Sequence, residues 1–174
     1  MQAQLQIAFC RELAELLAEQ GSVIIENIGT FNIRRRPAYE GRNPEDGAWV
    51  EVPPTTLVFF KVALPFKSFL QNAEGEPPQA RCEALVARVS ERSGSPVEQV
   101  EQALRTWWRE IAERAVMVDD SLDIELDVLG FLHVQQRPAE ELSFGSGSFR
   151  ASIPARRLVS FRPSEQLRSR LNRV

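Results

Sequence analysis

The sequence has few of the residues that build disulfide frameworks, metal sites and membrane spans. Its 174 residues include two cysteines, one histidine, one tyrosine and two lysines. Cys10 and Cys82 lie in segments of helical spacing and no metal-ligand spacing is present, so we expect reduced thiols, no metal and no cofactor. No apolar run exceeds a few residues, and residues 1–20 include four charged side chains. This pattern predicts neither a membrane span nor a signal peptide, and it is typical of a cytoplasmic protein.

The sequence also lacks the residue arrangements that are typical of enzymes. The sequence contains no nucleophile–base pair, no phosphate-binding loop and no cluster of potential metal ligands. His133 lies in a strand-like run with no Asp, Ser or Cys partner evident from the sequence, so a general acid–base role is not expected. These absences predict a protein that is not an enzyme and has no small-molecule substrate.

The charge balance is slightly acidic. The chain has 24 acidic and 21 basic residues, a net charge of −3 and a pI of about 5.4. A protein that binds nucleic acid is usually basic, because cationic side chains displace counterions from phosphate. Distribution matters more than the total, and three consecutive arginines stand at residues 34–36.

The most informative stretch runs from residue 29 to residue 54. An alternating run leads into the three arginines and reaches a turn-rich apex at residues 41–47, Gly-Arg-Asn-Pro-Glu-Asp-Gly. Asn, Pro, Asp and Gly each favour turns, and the alternation resumes at residues 48–52. This pattern predicts a long two-stranded ribbon with a basic stem and a proline near its tip. Tyr39 and Trp49 lie symmetrically about Pro44, so we expect them to pair across the ribbon.

The chain contains an internal duplication. Residues 28–38 and 129–139 align without a gap, share their periodicity and both end in Arg-Pro-Ala. Residues 74–78 are polar with Gly and two prolines, which indicates a linker between a first domain, 1–73, and a second domain, 79–174.

The two domains differ in the number of helices that precede the first strand. The first has one amphipathic helix, residues 3–19, with Glu12, Glu15 and Glu19 expected away from its apolar face. The second has a helical segment at 79–92 and a second helix that runs to about Val116. A capping box, Ser95 to Glu98, is expected to start that second helix. An alternating strand is then expected from residue 122 through 139.

These motifs together resemble the HU and integration host factor family of bacterial DNA-binding proteins. The resemblance rests on Gly29-Thr30-Phe31, on the apex Gly41-Arg42-Asn43-Pro44 at the right distance from it, and on the closing segment 161–168. It implies an α+β fold: two domains, each with a helical base and a three-stranded antiparallel sheet with a β-ribbon arm, joined as an intramolecular pseudo-dimer. The first domain would lack the family's first helix.

The resemblance also implies a function. Members are architectural, largely sequence-nonspecific proteins that bind and bend double-stranded DNA in the bacterial nucleoid, with the arm in the minor groove and the apex proline as a wedge. The arginines would contact phosphate or the minor groove, and basic residues beside the sheet would contact the flanks. The resulting DNA-binding candidates are Arg34, Arg35, Arg36, Arg42, Asn43, Pro44, Lys61, Lys67, Arg137, Arg162 and Arg168.

Two alternatives remain open on the sequence alone. In the second arm the apex positions become Leu142, Ser143, Phe144 and Gly145, so Phe144 is either a substitute wedge or part of a loop without a role. The whole chain is either a DNA binder or a repurposed protein-interaction scaffold that does not bind DNA, and a homo-oligomer or protein partner is compatible with both. Charge placement separates the two functions: arginines on one face favour DNA, and neutralisation by the arm acids, Glu40, Glu45, Asp46 and Glu51, favours the scaffold.

Overall fold

The chain folds into two halves of matching topology. The computed structural model describes residues 2–144 and 149–172. The first half begins with one helix, continues through five strands and closes with a helix. These elements are α1 (Gln2–Gln20), β1 (Ser22–Ile25), β2 (Gly29–Arg36), β3 (Tyr39–Arg42), β4 (Trp49–Val52), β5 (Thr55–Val62) and α2 (Leu64–Asn72).

The second half repeats this order with one additional helix at its start. Its elements are α3 (Glu83–Ser93), α4 (Val97–Val116), β6 (Ser121–Glu125), a 3-10 turn (Asp127–Leu129), β7 (Gly130–Arg137), β8 (Glu140–Phe144), β9 (Phe149–Ile153), β10 (Arg156–Pro163) and α5 (Glu165–Leu171). The predicted α+β class and the pseudo-dimeric arrangement are therefore confirmed.

Each half contains one three-stranded antiparallel sheet and one two-stranded arm. The sheet orders are β1-β2-β5 and β6-β7-β10, and the arms pair β3 with β4 and β8 with β9. Arg36 pairs with Thr55, and Tyr39 pairs with Val52. Two residues intervene on each side, so the arm keeps the register of its sheet and side chains alternate between the same two faces.

A glycine begins the central strand of both sheets because the neighbouring strand lies too close for a side chain. A Cβ on Gly29 would lie 2.6 Å from the carbonyl oxygen of Lys61, and one on Gly130 would lie 2.1 Å from that of Arg162. The Gly-Thr-Phe motif thus reflects a close backbone approach, which is a requirement of packing.

One hydrophobic core joins the two halves. Phe31 meets Phe161 edge-on at 5.2 Å between ring centroids, and Phe60 stacks on Trp108 at 6.3 Å. Trp107 and Trp108 are both buried, as expected of core anchors, and Phe9 stacks on Trp107. Because rings of each half contact rings of the other, the packing that stabilises one sheet depends on its counterpart.

Ion pairs tie α1 to α3 and α5. Arg92 contacts Glu12 and Glu15 at 3.0 Å each, Arg170 contacts Glu15 at 2.9 Å, and Arg88 contacts Glu19 at 2.7 Å. The expectation that Glu12 lies away from the buried face is wrong, since it is only 3% exposed. The periodicity of α1 reveals its own apolar stripe, but it cannot reveal that α3 packs over the adjacent side.

Replacing Glu15 with Gln is expected to lower the free energy of unfolding by about 1 kcal/mol near neutral pH. The hydrogen bond from Arg170 has the largest effect and lowers the pKa of Glu15, burial opposes it to a smaller extent, and the hydrogen bond from Arg92 lowers the pKa further. A carboxyl whose pKa is lowered by folding stabilises the folded state at pH values above its ordinary pKa. This stabilisation is lost as the pH falls through the pKa of the folded state. Urea unfolding at neutral and acid pH should therefore show a deficit that shrinks in acid.

The matched control is Glu91→Gln, which removes the same charge from α3 at an exposed site that forms no ion pair within the described residues. It should change stability little at either pH. A Glu15→Gln deficit that persists undiminished in acid would contradict the ionic explanation.

Two sequence expectations are wrong at element ends. Helix α4 starts at Val97 after Pro96, which provides no side-chain cap, so the capping box does not form. The Ser95 carbonyl instead accepts a hydrogen bond from the Ser90 hydroxyl. The alternating run from residue 122 is also interrupted, because the chain must reverse to pair β6 with β7. A tight turn with Asp127 at a φ of 45° makes that reversal, as Asn27 at 65° does between β1 and β2.

Candidate nucleic-acid interface

The outward face of the first sheet carries basic side chains and no acidic ones. Phe31 and Phe60 are paired and point into the core, so residues of opposite parity point to solvent. Arg34, Arg36 and Lys61 lie on this outward face and are exposed. Strands β1, β2 and β5 contain no Asp or Glu. Within the described part of the chain these three cations form no ion pair, which leaves their charges available to an anionic partner.

Arg35 lies on the opposite face from its neighbours. Arg35 pairs with Thr56 and points to the same side of the sheet as Phe31 and Phe60. It is nevertheless exposed, because the core does not extend this far along the ribbon. The three consecutive arginines are therefore divided between two faces of the ribbon.

The arm tip is held in shape by hydrogen bonds from two turn residues. The side-chain oxygen of Asn43 accepts from the backbone amide of Glu45 at 3.1 Å, and the backbone amide of Asn43 donates to the Ala48 carbonyl at 2.9 Å. The carboxylate of Asp46 accepts from the amide of Ala48 at 2.9 Å, and Gly47 adopts a φ of 71°. Both side chains thus serve the turn, and Pro44 is exposed at the apex.

Arg42 and Trp49 form a pair beneath the tip. They are cross-strand partners, and the guanidinium carbon lies 4.8 Å from the ring centroid of Trp49. The expected Tyr39–Trp49 pair is wrong, because Tyr39 pairs with Val52. The ladder centres between Glu45 and Asp46 and not on Pro44, about which Tyr39 and Trp49 are symmetric in the sequence.

Acidic side chains accompany Arg42 on the arm. Glu40 lies directly opposite Glu51, and both share the face of Arg42. Glu45 and Asp46 are exposed at the tip. The charge placement is therefore split: the stem at the sheet is basic, and the outer arm is mostly acidic.

The four residues predicted to contact the flanks of the DNA differ in their surroundings; they are Lys61, Lys67, Arg162 and Arg168. Lys61 lies on the first sheet, and Lys67 is exposed on α2. Arg162 lies on the outward face of the second sheet, 3.8 Å from a carboxylate oxygen of Asp123. Arg168 on α5 donates to the carbonyl of Pro163 at 3.1 and 3.3 Å. Only Lys61 joins the acid-free patch formed with Arg34 and Arg36.

The second sheet brings together a cluster that is not evident from the sequence. Nδ1 of His133 lies 2.5 Å from Oδ1 of Asp123, its cross-strand partner, and the second oxygen of that carboxylate faces Arg162. The equivalent residues of β1 and β2 pair in the same register, which the sequence alone does not provide. Arg137 is exposed and pairs with Arg156 on the same face.

The second arm is described up to its apex. Its ladder runs from Glu140 paired with Ile153 to Phe144 paired with Phe149. The two alternatives for Phe144, a substitute wedge or part of a loop without a role, concern a side chain and apex positions that lie outside the described residues.

The two thiols lie in the helical layer, away from both outward faces. Burial raises the pKa of the Cys10 thiol to about 12, with a smaller contribution from the charge of Asp127. Burial likewise raises the pKa of Cys82, and both cysteines are unbridged. Among the described residues there is no cluster of potential metal ligands and no helix long and apolar enough to cross a membrane.

Comparison with known proteins matches both halves of the chain. A family model described as bacterial DNA-binding protein matches residues 3–71 and 82–172. Integration host factor subunit beta of Burkholderia cenocepacia strain HI2424 is 34% identical over 68 residues, which cover 39% of this chain and 64% of that protein. The same figures hold for the subunits of Burkholderia orbicola strain MC0-3 and Burkholderia lata. The chain thus spans less than two thirds of the length of these relatives.

Proposed function

Because the chain belongs to the bacterial DNA-binding protein family of HU and integration host factor, we propose that it is an architectural protein of the bacterial nucleoid. In this proposal it binds double-stranded DNA with little sequence preference and bends it. The chain acts as two units, residues 1–73 and 79–174, joined by a linker at 74–78.

The observation that carries the proposal is the acid-free basic face of the first sheet. Arg34, Arg36 and Lys61 present three unpaired cations within the described residues, on strands that contain no carboxylate. Cations on one face neutralise neighbouring phosphates and release counterions, whatever the base sequence. A local patch of this kind binds DNA even when the protein as a whole is slightly acidic.

The arm extends this face towards the minor groove. Its register with the sheet is maintained, and Pro44 is exposed at a tip fixed by the side chains of Asn43 and Asp46. A rigid apolar wedge inserted at a base step kinks DNA, and unstacking costs a few kcal/mol per step. Arg42, held against Trp49, lies next to this wedge and supplies a cation for the groove.

Replacing Pro44 with Ala is expected to lower the DNA bend angle more than the affinity. The affinity comes mainly from phosphate contacts of the stem, whereas the bend requires the wedge. Fluorescence transfer between dyes at the two ends of a short duplex measures the bend, and anisotropy measures the affinity. The control is Pro154→Ala at the base of the second arm, which should leave the bend unchanged. An unchanged bend in Pro44→Ala would rule out the wedge.

The experiment that tests the proposed function is fluorescence anisotropy of a labelled duplex at several salt concentrations. Binding is expected to be saturable and to weaken steeply with salt, by a slope of about −0.9 per phosphate contact. The Arg42→Ala variant should bind the duplex more weakly than the unaltered chain. Absence of binding at low salt would overturn the proposal.

A second candidate function, a protein-interaction scaffold, is favoured by the acidic outer arm. The Glu40–Glu51 pair, with Glu45 and Asp46, places four carboxylates around the single arginine of the arm. Phosphate would repel this region, whereas a basic protein surface would bind it. Replacing Glu40 and Glu51 with Gln separates the two functions: DNA affinity should rise if the arm meets DNA and stay the same if the arm serves only a protein partner.

A further inference from the structure

We propose that Asp123 disables the second sheet as a DNA-binding surface, so that the duplex engages mainly the first sheet. This inference rests on the proposed function, and it names the residue that makes binding one-sided. In each sheet an edge strand faces a central strand, and at the same place in both sheets the third strand carries a cation on the outward face, Lys61 or Arg162. The two outward faces differ at the residues that surround this cation.

The corresponding residues follow from the strand registers. Ser22 pairs with Asn32 in the first sheet, where its hydroxyl donates to the Asn32 side chain at 2.9 Å. Asp123 pairs with His133 at the same place in the second sheet. Lys61 pairs with Thr30, and Arg162 pairs with Phe131, so these two cations also correspond.

The difference between Ser22 and Asp123 changes the electrostatics of the outward face. In the first sheet a neutral Ser–Asn pair stands near Lys61, which has no ion pair within the described residues. In the second sheet a carboxylate occupies the Ser22 position and contacts Arg162 at 3.8 Å. Glu125 is exposed on the same face, so β6 adds two carboxylates where β1 has none.

The Arg162–Asp123 ion pair contributes little to folding stability but strongly affects the binding of DNA phosphate. Arg162 is 59% exposed and Asp123 is 49% exposed, so water and salt screen their attraction and its contribution to stability is small. Phosphate approaching this face, however, meets a carboxylate beside Arg162, the cation that corresponds to Lys61. Repulsion and competition for Arg162 both weaken the contact.

The first test variant is Asp123→Ser, which gives the second sheet the residue that occupies the corresponding place in the first. Binding to a labelled duplex should tighten several-fold at low salt. The slope of log affinity against log salt should steepen by about 0.9, the value for one additional phosphate contact. Hydroxyl-radical footprinting should show protection that extends over a longer stretch of the duplex.

The reciprocal variant, Ser22→Asp, carries the carboxylate to the first sheet beside Lys61. It should weaken binding several-fold and make the slope shallower by about the same amount, because it places the anion on the face that binds DNA. A purely structural effect is not expected to make Asp123→Ser tighten DNA binding while Ser22→Asp weakens it.

Two further variants keep the test decisive. Asp119→Ser makes the same charge change at an exposed turn before β6 and should leave affinity and slope nearly unchanged. Asp123→Asn removes the charge and retains a side chain of similar size, so it tests the charge if Asp123→Ser proves unstable by circular dichroism. It should tighten binding as Asp123→Ser does.

The outcomes are distinguishable from a failure of the proposed function. If the unaltered chain binds DNA and neither Asp123 variant tightens it, the inference is overturned and the proposed function stands. An equal gain from Asp119→Ser would also overturn it, because net charge alone would then explain the change. If the unaltered chain does not bind at low salt, both the function and the inference fall.

Discussion

Replacing Arg34 and Arg36 together with Glu is expected to reduce affinity for duplex DNA by about 100-fold or more at moderate salt. The two side chains point to the same side of β2 and have no ion pair within the described residues. The reversal removes two cations and adds two anions on a face that otherwise carries only Lys61, so phosphate meets repulsion. Anisotropy titrations at several salt concentrations measure the loss and should show a shallower salt slope.

The matched control reverses Arg109 and Arg114, two exposed arginines of α4. The helix packs beneath the core face of the sheet, where Trp108 contacts Phe60, so these arginines lie away from the outward face. The net charge of the two proteins is then identical, and the control should lose far less affinity. An equal loss in both would show that binding depends on overall charge and that the first sheet has no special part in it.

Replacing Trp108 with Ala is expected to lower the free energy of unfolding by about 3–5 kcal/mol. The indole is fully buried, stacks on Phe60 of the first half and contacts Trp107 of the second. Removing it leaves a large cavity where the two halves meet, and a domain of ordinary stability has only about 5–15 kcal/mol in total. Urea unfolding followed by far-UV circular dichroism should show a single transition at a lower denaturant concentration.

Trp108→Phe is the informative comparison. The indole Nε1 is buried and has no hydrogen-bond partner in the described part of the chain, so phenylalanine loses no polar contact and retains most of the ring. The loss should be well below that of the alanine variant. Two separated transitions in Trp108→Ala, with one half unaffected, would contradict a core that is shared between the halves.

The sequence predicted those features that depend on local pattern. Alternation placed β2 and β4, helical spacing placed the apolar stripe of α1, and the turn residues Asn43 and Asp46 bond the backbone as expected. Residues that share a face of one strand, such as Arg34 and Arg36, follow directly from parity.

The errors concern contacts between elements. Glu12 is buried only because α3 packs beside α1, and nothing within α1 indicates this. The Arg42–Trp49 pair depends on where the turn hydrogen bonds fix the register, and a shift of that centre changes every partner. The proximity of Asp123 to His133 similarly requires the register of β6 on β7, which composition and spacing do not provide.

The covalent link between two halves that share one core has a consequence for how the protein behaves in a cell. A dimer of separate subunits dissociates on dilution and exchanges subunits with related proteins, so its stability depends on concentration. Here each half always has its counterpart at a high effective concentration, and mixed pairs with other chains are not required. A substitution in a homodimer appears twice, whereas here it appears once. One arm can therefore retain Arg-Asn-Pro while the other replaces it, and one sheet can acquire a carboxylate without the other.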